Sequence, residues 1–500
     1  MSYELIAILM FSGMMLMLMT GQRVFGAIGF IGAAAGMALW GVGGSDIPFA
    51  AAMKLMKWYP MLTLPMFIFM GYVLSESKIA DDLYKMFHVW MGPVKGGLAI
   101  GTIGLMVLVS AMNGLSVAGM AIGATIALPE LLRRGYDKIL VTGVVQAGSS
   151  LGILVPPSVV LVLYAMIARQ PVSQLWLAGV LPGLMMAVMF IVYIYVRARL
   201  QPNLGPAMSP EDLQEYELIS EHPLRLNYIV LGTLVLLPLL MMAGLSGPKT
   251  SATIALVASA ASFILRHNPM FFTDIFMKEK HRLLFSGVLP LAIFAAMMVP
   301  FINGWTSLVE SSAIGAMTAF IAAVLKGRMN RDVFETTLRS TLGISCMFMW
   351  IILAALGFGA IFDGLGAVNA IKDLFTTQLG LSPWMILILM QVSFLLMGTF
   401  LDDTAMLVIV APLYVPLVGE LGFDLIWYGV LYTITTQIAY MTPPFGYNLF
   451  LMRAMAPPEI SLRDIYISII PFALIMVLAL SLVMVFPQIA LWLPDYVYGK

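Results

Sequence analysis

Ten mostly apolar runs, on the order of the 17–25 residues a helix needs to cross a bilayer, constrain this chain more than anything else in it. They lie near 3–20, 24–42, 60–75, 174–197, 227–244, 250–265, 283–301, 311–326, 340–361 and 466–488. Hydrocarbon offers no water to backbone N–H and C=O groups, so only helices or closed barrels survive there, and continuous runs of this length read as helices. Charged residues make up 10% of the chain, against about a quarter in a soluble domain, and the mean hydropathy is +0.97. The expectation is an all-α polytopic membrane protein. A formal net charge of +0 without a concentrated basic tract excludes nucleic acid as a partner. Cys346 is alone and the four His are scattered, which leaves neither a disulfide framework nor a transition-metal site. The 41 Met are apolar filler. The run Leu5 to Met19 lacks a basic segment before it and reads as a retained helix.

Between the runs lie two interrupted regions, 97–168 and 384–455, built to one design. Pro129 and Pro416, Gly135 and Gly422, Asp137 and Asp424, and Pro156 and Pro443 are each 287 positions apart. Paired hydrophobic segments interrupted by Gly and Pro at corresponding positions point to a transporter's binding site, because unwound backbone there can coordinate ions and substrate.

Within each region a pair of short arms reads as a re-entrant hairpin, about 97–128 and about 384–418. The arms meet at polar, small residues: Ser110 to Ser116 in the first, Gly398 to Thr404 in the second. Each hairpin precedes a broken helix, about 139–168 and about 426–455. Arg133, Arg134 and Lys138 follow the first hairpin, whereas the counterpart carries Glu420 and Asp424, so the positive-inside rule puts the first connection in the cytoplasm and the second outside. Similar units in opposite orientation make an inverted repeat. The expected organisation is N-terminal scaffold helices (1–60), a first transport-domain repeat (61–170), a scaffold helix (171–200), a polar, Pro-containing cytoplasmic linker (201–226), scaffold helices (227–339), a second transport-domain repeat (340–455) and a C-terminal helix (456–500).

Na⁺ is a hard cation that needs several oxygen ligands, which freed carbonyls and Ser, Thr, Asn or Asp side chains supply at membrane depth. The candidates in the first unit are Asn113, Gly114 and Ser116 at the tip, with Gly148, Ser149 and Pro156 at the break. Those in the second are Asp402, Asp403 and Thr404 at the tip, with Thr435, Thr436, Thr442 and Pro443 at the break. Substrate candidates beside them are Ser150, Pro157, Ser158, Gln437, Pro444 and Asn448. For the two Asp the alternative is a helix cap in water. Glu310 reads as a cap of the same kind. No motif supports an enzyme.

The stretches Leu64-Pro65-Met66-Phe67-Ile68-Phe69-Met70-Gly71, Asn113-Gly114-Leu115-Ser116, Pro129 to Asp137, Gly152 to Ser158 and Met441-Thr442-Pro443-Pro444-Phe445-Gly446-Tyr447-Asn448 resemble the large membrane subunit of tripartite ATP-independent periplasmic (TRAP) transporters. The resemblance runs over essentially the whole chain. It implies an elevator-type transporter, in which a Na⁺-driven domain of two hairpins and two broken helices slides against a scaffold in the bacterial inner membrane. It also implies a small four-helix membrane subunit, a soluble periplasmic substrate-binding protein, an organic acid substrate and no cofactor besides Na⁺ as coupling ion. The first tip departs from the family in lacking a Gly-Ser-rich run. Two other readings stay open: a stand-alone dicarboxylate or citrate-type transporter, and a non-transporting membrane subunit such as a proton-channel module. The latter calls for a row of midmembrane Lys, Glu or His, which the sequence lacks.

Overall fold

A computed structural model describes the chain apart from residues 1–2, 21, 80–86, 88–90, 93, 115, 117–118, 121–122, 208–287, 303, 374–376, 399–402, 444–445 and 500. Every regular element among the described residues is helical. In chain order these are α1 (Tyr3–Met19), α2 (Val24–Trp40), α3 (Asp46–Met56), α4 (Thr63–Glu76), α5 (Gly97–Asn113), α6 (Leu128–Arg133), α7 (Lys138–Ser150), α8 (Val159–Ala168), α9 (Val172–Leu200) and α10 (Val288–Ile302). There follow α11 (Leu308–Leu325), α12 (Arg331–Gly364), α13 (Ala367–Asp373), α14 (Pro383–Gly398), α15 (Asp403–Glu420), α16 (Leu425–Met441), α17 (Tyr447–Met455), α18 (Leu462–Val485) and α19 (Gln488–Tyr498). Among them α9, α11, α12 and α18 are long and apolar enough to cross a membrane. The runs at 227–244 and 250–265, and the linker from 208 to 226, lie outside the described residues.

In the first unit, α5 ends at Asn113, Gly114 turns the chain at φ +65°, and the return arm passes through a π-helical turn, Gly123–Ala127, into α6. That arm therefore runs on to Arg133, beyond the expected end near 128. The second pair is simpler: α14 reaches Gly398 and α15 returns from Asp403. Within the expected N-terminal scaffold segment residues 46–56 form a further helix; α12 extends from 331 to 364 where the apolar run covers 340–361, and the segment 456–500 holds two helices, α18 and α19, where one was expected.

The two broken helices sit at the centre. Leu140 to Ser150 of α7 and Ile426 to Met441 of α16 are buried without exception, the pattern of helices surrounded by protein on all sides. α5 packs on α7 as α14 packs on α16. Across the units, the π-helical turn lies against α17, and α15 lies against α8. Under the 287-residue offset these two cross-unit contacts are one contact seen twice. Aromatic rings fill the seam: Tyr164 of α8 lies 6.3 Å from both Tyr428 and Tyr432 of α16, and Phe394 of α14 lies 4.9 Å from Tyr432.

Outside this centre α12 is the main strut, touching α2, α3, α4 and α15. Its approach to α2 uses small residues, which let backbones come close where lipid gives apolar faces no reason to associate. Gly29, Gly32 and Gly36 face Ala354, Phe358 and Ile361.

Candidate functional site

Both central helices begin alike. Asp137 caps α7 by accepting the Leu140 amide at 2.9 Å, and Asp424 caps α16 by accepting those of Ile426 and Trp427 at 2.8 Å. Tyr136, beside the first cap, accepts the Leu98 amide at 3.2 Å, and burial pushes its hydroxyl up to about 12. Each central helix then runs to a proline pair that cannot donate to the helical ladder, so the helix stops in the middle of the structure. In the first unit the break covers Leu151 to Ser158, with a short 3₁₀ turn at Leu151–Ile153. In the second it covers Thr442 to Gly446.

The first tip is docked on the first break. The Val159 amide donates to the Gly114 carbonyl at 3.2 Å, and a Cβ at Gly114 would come within 2.8 Å of the Pro157 carbonyl oxygen. Ser116, on the return arm just beyond, is buried. Ser158 closes the break: its hydroxyl donates to Ile153, accepts the Leu161 amide at 3.2 Å to cap α8, and its carbonyl accepts Trp176 Nε1 at 3.3 Å. The Ser149 and Ser150 hydroxyls donate to Gln146 and Ala147, each at 2.8 Å. The second break folds as tightly, since a Cβ at Gly446 would collide with the carbonyls of Tyr440 and Thr442.

In the second unit Thr435 donates to Gln391 of α14 at 2.5 Å, Thr436 to the Thr433 carbonyl at 2.8 Å, and Thr442 to the Ile438 carbonyl at 2.6 Å. These hydroxyls spend their hydrogen on the protein and keep lone pairs for a cation, which is the state a Na⁺ ligand needs. Gln437 and Asn448 behave differently. Both are fully buried, and neither atom of either carboxamide has a hydrogen-bond partner among the described residues. A buried polar group left unpaired costs about 1–3 kcal/mol, so two such amides at a helix break mark a place that a bound species completes.

The two broken helices also touch each other: α16 lies against the turn at Leu151–Ile153, and α17 against α7. A largely apolar groove of about 780 Å³ reaches the second break, passing Leu395, Thr442 and Pro443 on one side and α18 from Arg463 to Val477 on the other. No charged side chain is fully buried among the described residues. Asp402 and Pro444 lie outside the described residues, and Asn113, Asp403 and Thr404 are placed by their backbones alone, Asp403 opening α15. Glu310 completes a capping box with Ser307 at the start of α11.

Sequence reasoning did not single out three supporting side chains. Gln391 holds Thr435, while Gln146 donates to Ser468 of α18 at 3.2 Å, tying the first central helix to α18. The available signal was a Gln inside an otherwise apolar helix, which has to find a partner on a neighbour.

Residues 11–489 match the family described as tripartite ATP-independent periplasmic transporter, DctM component. The chain belongs to this family. It is 28% identical over 445 residues to the C4-dicarboxylate TRAP transporter large permease protein DctM of Pseudomonas aeruginosa, covering 88% of this chain and 87% of that one. It is 26% identical over 440 residues to the ectoine TRAP transporter large permease protein TeaC of Halomonas elongata, again covering 88% and 87%. Among solved structures, the YdaH transporter of Alcanivorax borkumensis shares the fold, with a TM-score of 0.55 at 15% identity over 90% of this chain and 89% of that one. The protein is thus the large permease subunit of a TRAP transporter, a multi-pass membrane transport protein.

Proposed function

We propose that this large permease couples a Na⁺ gradient to uptake of a small organic acid across the bacterial inner membrane. The two hairpins and two broken helices move as an elevator against the remaining helices. The observation that carries the reading is the pair of broken helices packed against each other at the centre. Cation-ready oxygens flank the two breaks (Ser149, Thr435, Thr436, Thr442 and the carbonyls before Pro156 and Pro443), and the unpartnered amides of Gln437 and Asn448 flank the second. A buried site without a fixed cation receives an anion more readily when a mobile cation arrives with it.

Relatives named for C4-dicarboxylates, ectoine and sialic acid support an organic acid as the class. A partner membrane subunit is supported by the sialic acid and isethionate permease proteins, which this chain matches over only 60% and 58% of their length. We assign the remaining roles to that small four-helix subunit and to a periplasmic binding protein. The reciprocal contacts of the two units support an inverted repeat, with the connection at Arg133, Arg134 and Lys138 in the cytoplasm.

The test is uptake of labelled organic acids into proteoliposomes holding this chain and its small subunit. Uptake is expected only with an inward Na⁺ gradient and added binding protein. Gradient-driven uptake without the binding protein would favour a stand-alone transporter, and uptake indifferent to Na⁺ would remove the coupling ion.

A further inference from the structure

The two breaks differ in a way that bears on what the site recognises. Under the 287-residue offset Ser150 corresponds to Gln437 and Leu161 to Asn448. At the first break itself the serine side chains are satisfied internally: Ser149 donates to Gln146, Ser150 donates to Ala147, and Ser158 caps α8, the nearest unpartnered atom being Gln146 Oε1, further back on α7. In the second unit the nine-residue helix α17 starts at Gly446 with no side-chain cap, and the amides of Gln437 and Asn448 are buried with all four polar atoms unpartnered. Gln437 lies one turn before the end of α16, and Asn448 lies in the first turn of α17, so the two helices bring both residues to the same break.

An uncapped helix start attracts an anion, and each carboxamide offers one acceptor oxygen and two donor hydrogens. A plain carboxylate only accepts. It would satisfy the two NH₂ groups and the helix start, yet leave both amide oxygens facing nothing they can bond. A ligand that also donates satisfies more of the set: a hydroxyl, with one hydrogen, reaches one amide oxygen, and an ammonium, with three, can reach both.

Resting on the organic-acid reading above, we propose that the second break recognises a carboxylate bearing a neighbouring hydrogen-bond donor, a hydroxyl or an ammonium. The carboxylate lies toward the start of α17 and the NH₂ groups of Gln437 and Asn448, and the donor bonds to one amide oxygen (hydroxyl) or to both (ammonium). Such a site rejects the analogue without the donor far more strongly than an apolar pocket rejects a missing methylene, because its own buried groups are then left unpaired.

Thermal unfolding of the purified full chain in Na⁺-containing buffer tests this, since a ligand that binds the folded state raises Tm. The probes are matched acids: malate against succinate, lactate against propionate, mandelate against phenylacetate. In the pair whose size fits, the hydroxy acid should raise Tm at concentrations about a hundredfold or more below its deoxy partner. In Gln437→Met and Asn448→Leu, which remove the unpaired groups at similar volume, that preference should fall away while the chain stays folded. Equal response to both members of a pair, or an unaltered preference in both variants, overturns the proposal and leaves the organic-acid reading standing. A folded chain that responds to none of the acids overturns the proposal, while the organic-acid reading stands or falls on the uptake experiment above. A Tm rise caused by Na⁺ alone that vanishes in Gln437→Met gives the amide oxygen to the cation and overturns the donor assignment.

Discussion

Gly135 and Gly422 hold left-handed backbone at φ +78° and +83°, and a Cβ built on either meets nothing within 4 Å. Gly114 also has a positive φ, +65°, but its Cβ would press on the Pro157 carbonyl, while Gly446 is closed off by the carbonyls of Tyr440 and Thr442. The first pair serves a turn, and the second permits backbone to approach backbone. Gly135→Ala and Gly422→Ala should each cost about 1–2 kcal/mol, the price of left-handed backbone in an L-residue, and leave uptake intact. Gly114→Ala should cost a further 1–3 kcal/mol or so for overpacking, and Gly446→Ala a similar amount. Both should abolish uptake, because backbone atoms cannot step aside as a flexible side chain can. Thermal unfolding together with proteoliposome uptake separates the two classes. The sequence displays all four glycines, but only the neighbours brought by folding distinguish a turn from a close approach.

At the level of elements, the break positions were legible because proline and the Gly-aromatic-Asp turn act locally: a chain cannot hide a missing N–H or a capping carboxylate. Asp137 and Asp424 are the clearest case, since the shared offset already marked them as equivalent and both prove to be N-caps. Asp137→Ala and Asp424→Ala should each cost about 1 kcal/mol, and Asp→Asn at either position should recover most of it, as read by thermal unfolding. Ser158→Ala should behave as a cap mutant too, losing about 1 kcal/mol with the Na⁺ dependence of uptake unchanged, since its hydroxyl is committed to Ile153 and the Leu161 amide. What was not legible depends on distant partners. The π-helical turn at Gly123–Ala127 and helix α3 are set by what they pack against, and apolar composition alone does not reveal it. Thr435, Thr436 and Thr442 stood out as oxygens at a break, but their commitment to Gln391, Thr433 and Ile438 is tertiary or rotameric information. Gln437 and Asn448 stood out as substrate candidates together with Ser150 and Ser158, but only folding shows that their amides lack partners while the two serines are committed.

For the molecule as a whole, the contacts of the hairpin arms bear on the proposed relation between the two units. The arm at Gly123–Ala127 rests on α17 of the other unit, and α15, which contains the equivalent positions, rests on α8. Exchange of equivalent contacts is what a two-fold relation between units produces, whereas simple translation along the chain would give each unit a different neighbour. A two-fold axis lying in the membrane plane sends corresponding turns to opposite faces, and the charges agree: Arg133, Arg134 and Lys138 flank one turn, Glu420 and Asp424 the other. With the exposed Cys346 replaced by Ser, Gly135→Cys and Gly422→Cys introduce single thiols where a Cβ meets no other atom. A membrane-impermeant maleimide applied to intact cells should label position 422, and position 135 should react only in inverted membranes. Labelling of both from one face would place the axis along the membrane normal. The positive-inside assignment would then be wrong for one turn, and the two breaks could not exchange access between the two sides as an elevator of inverted units requires.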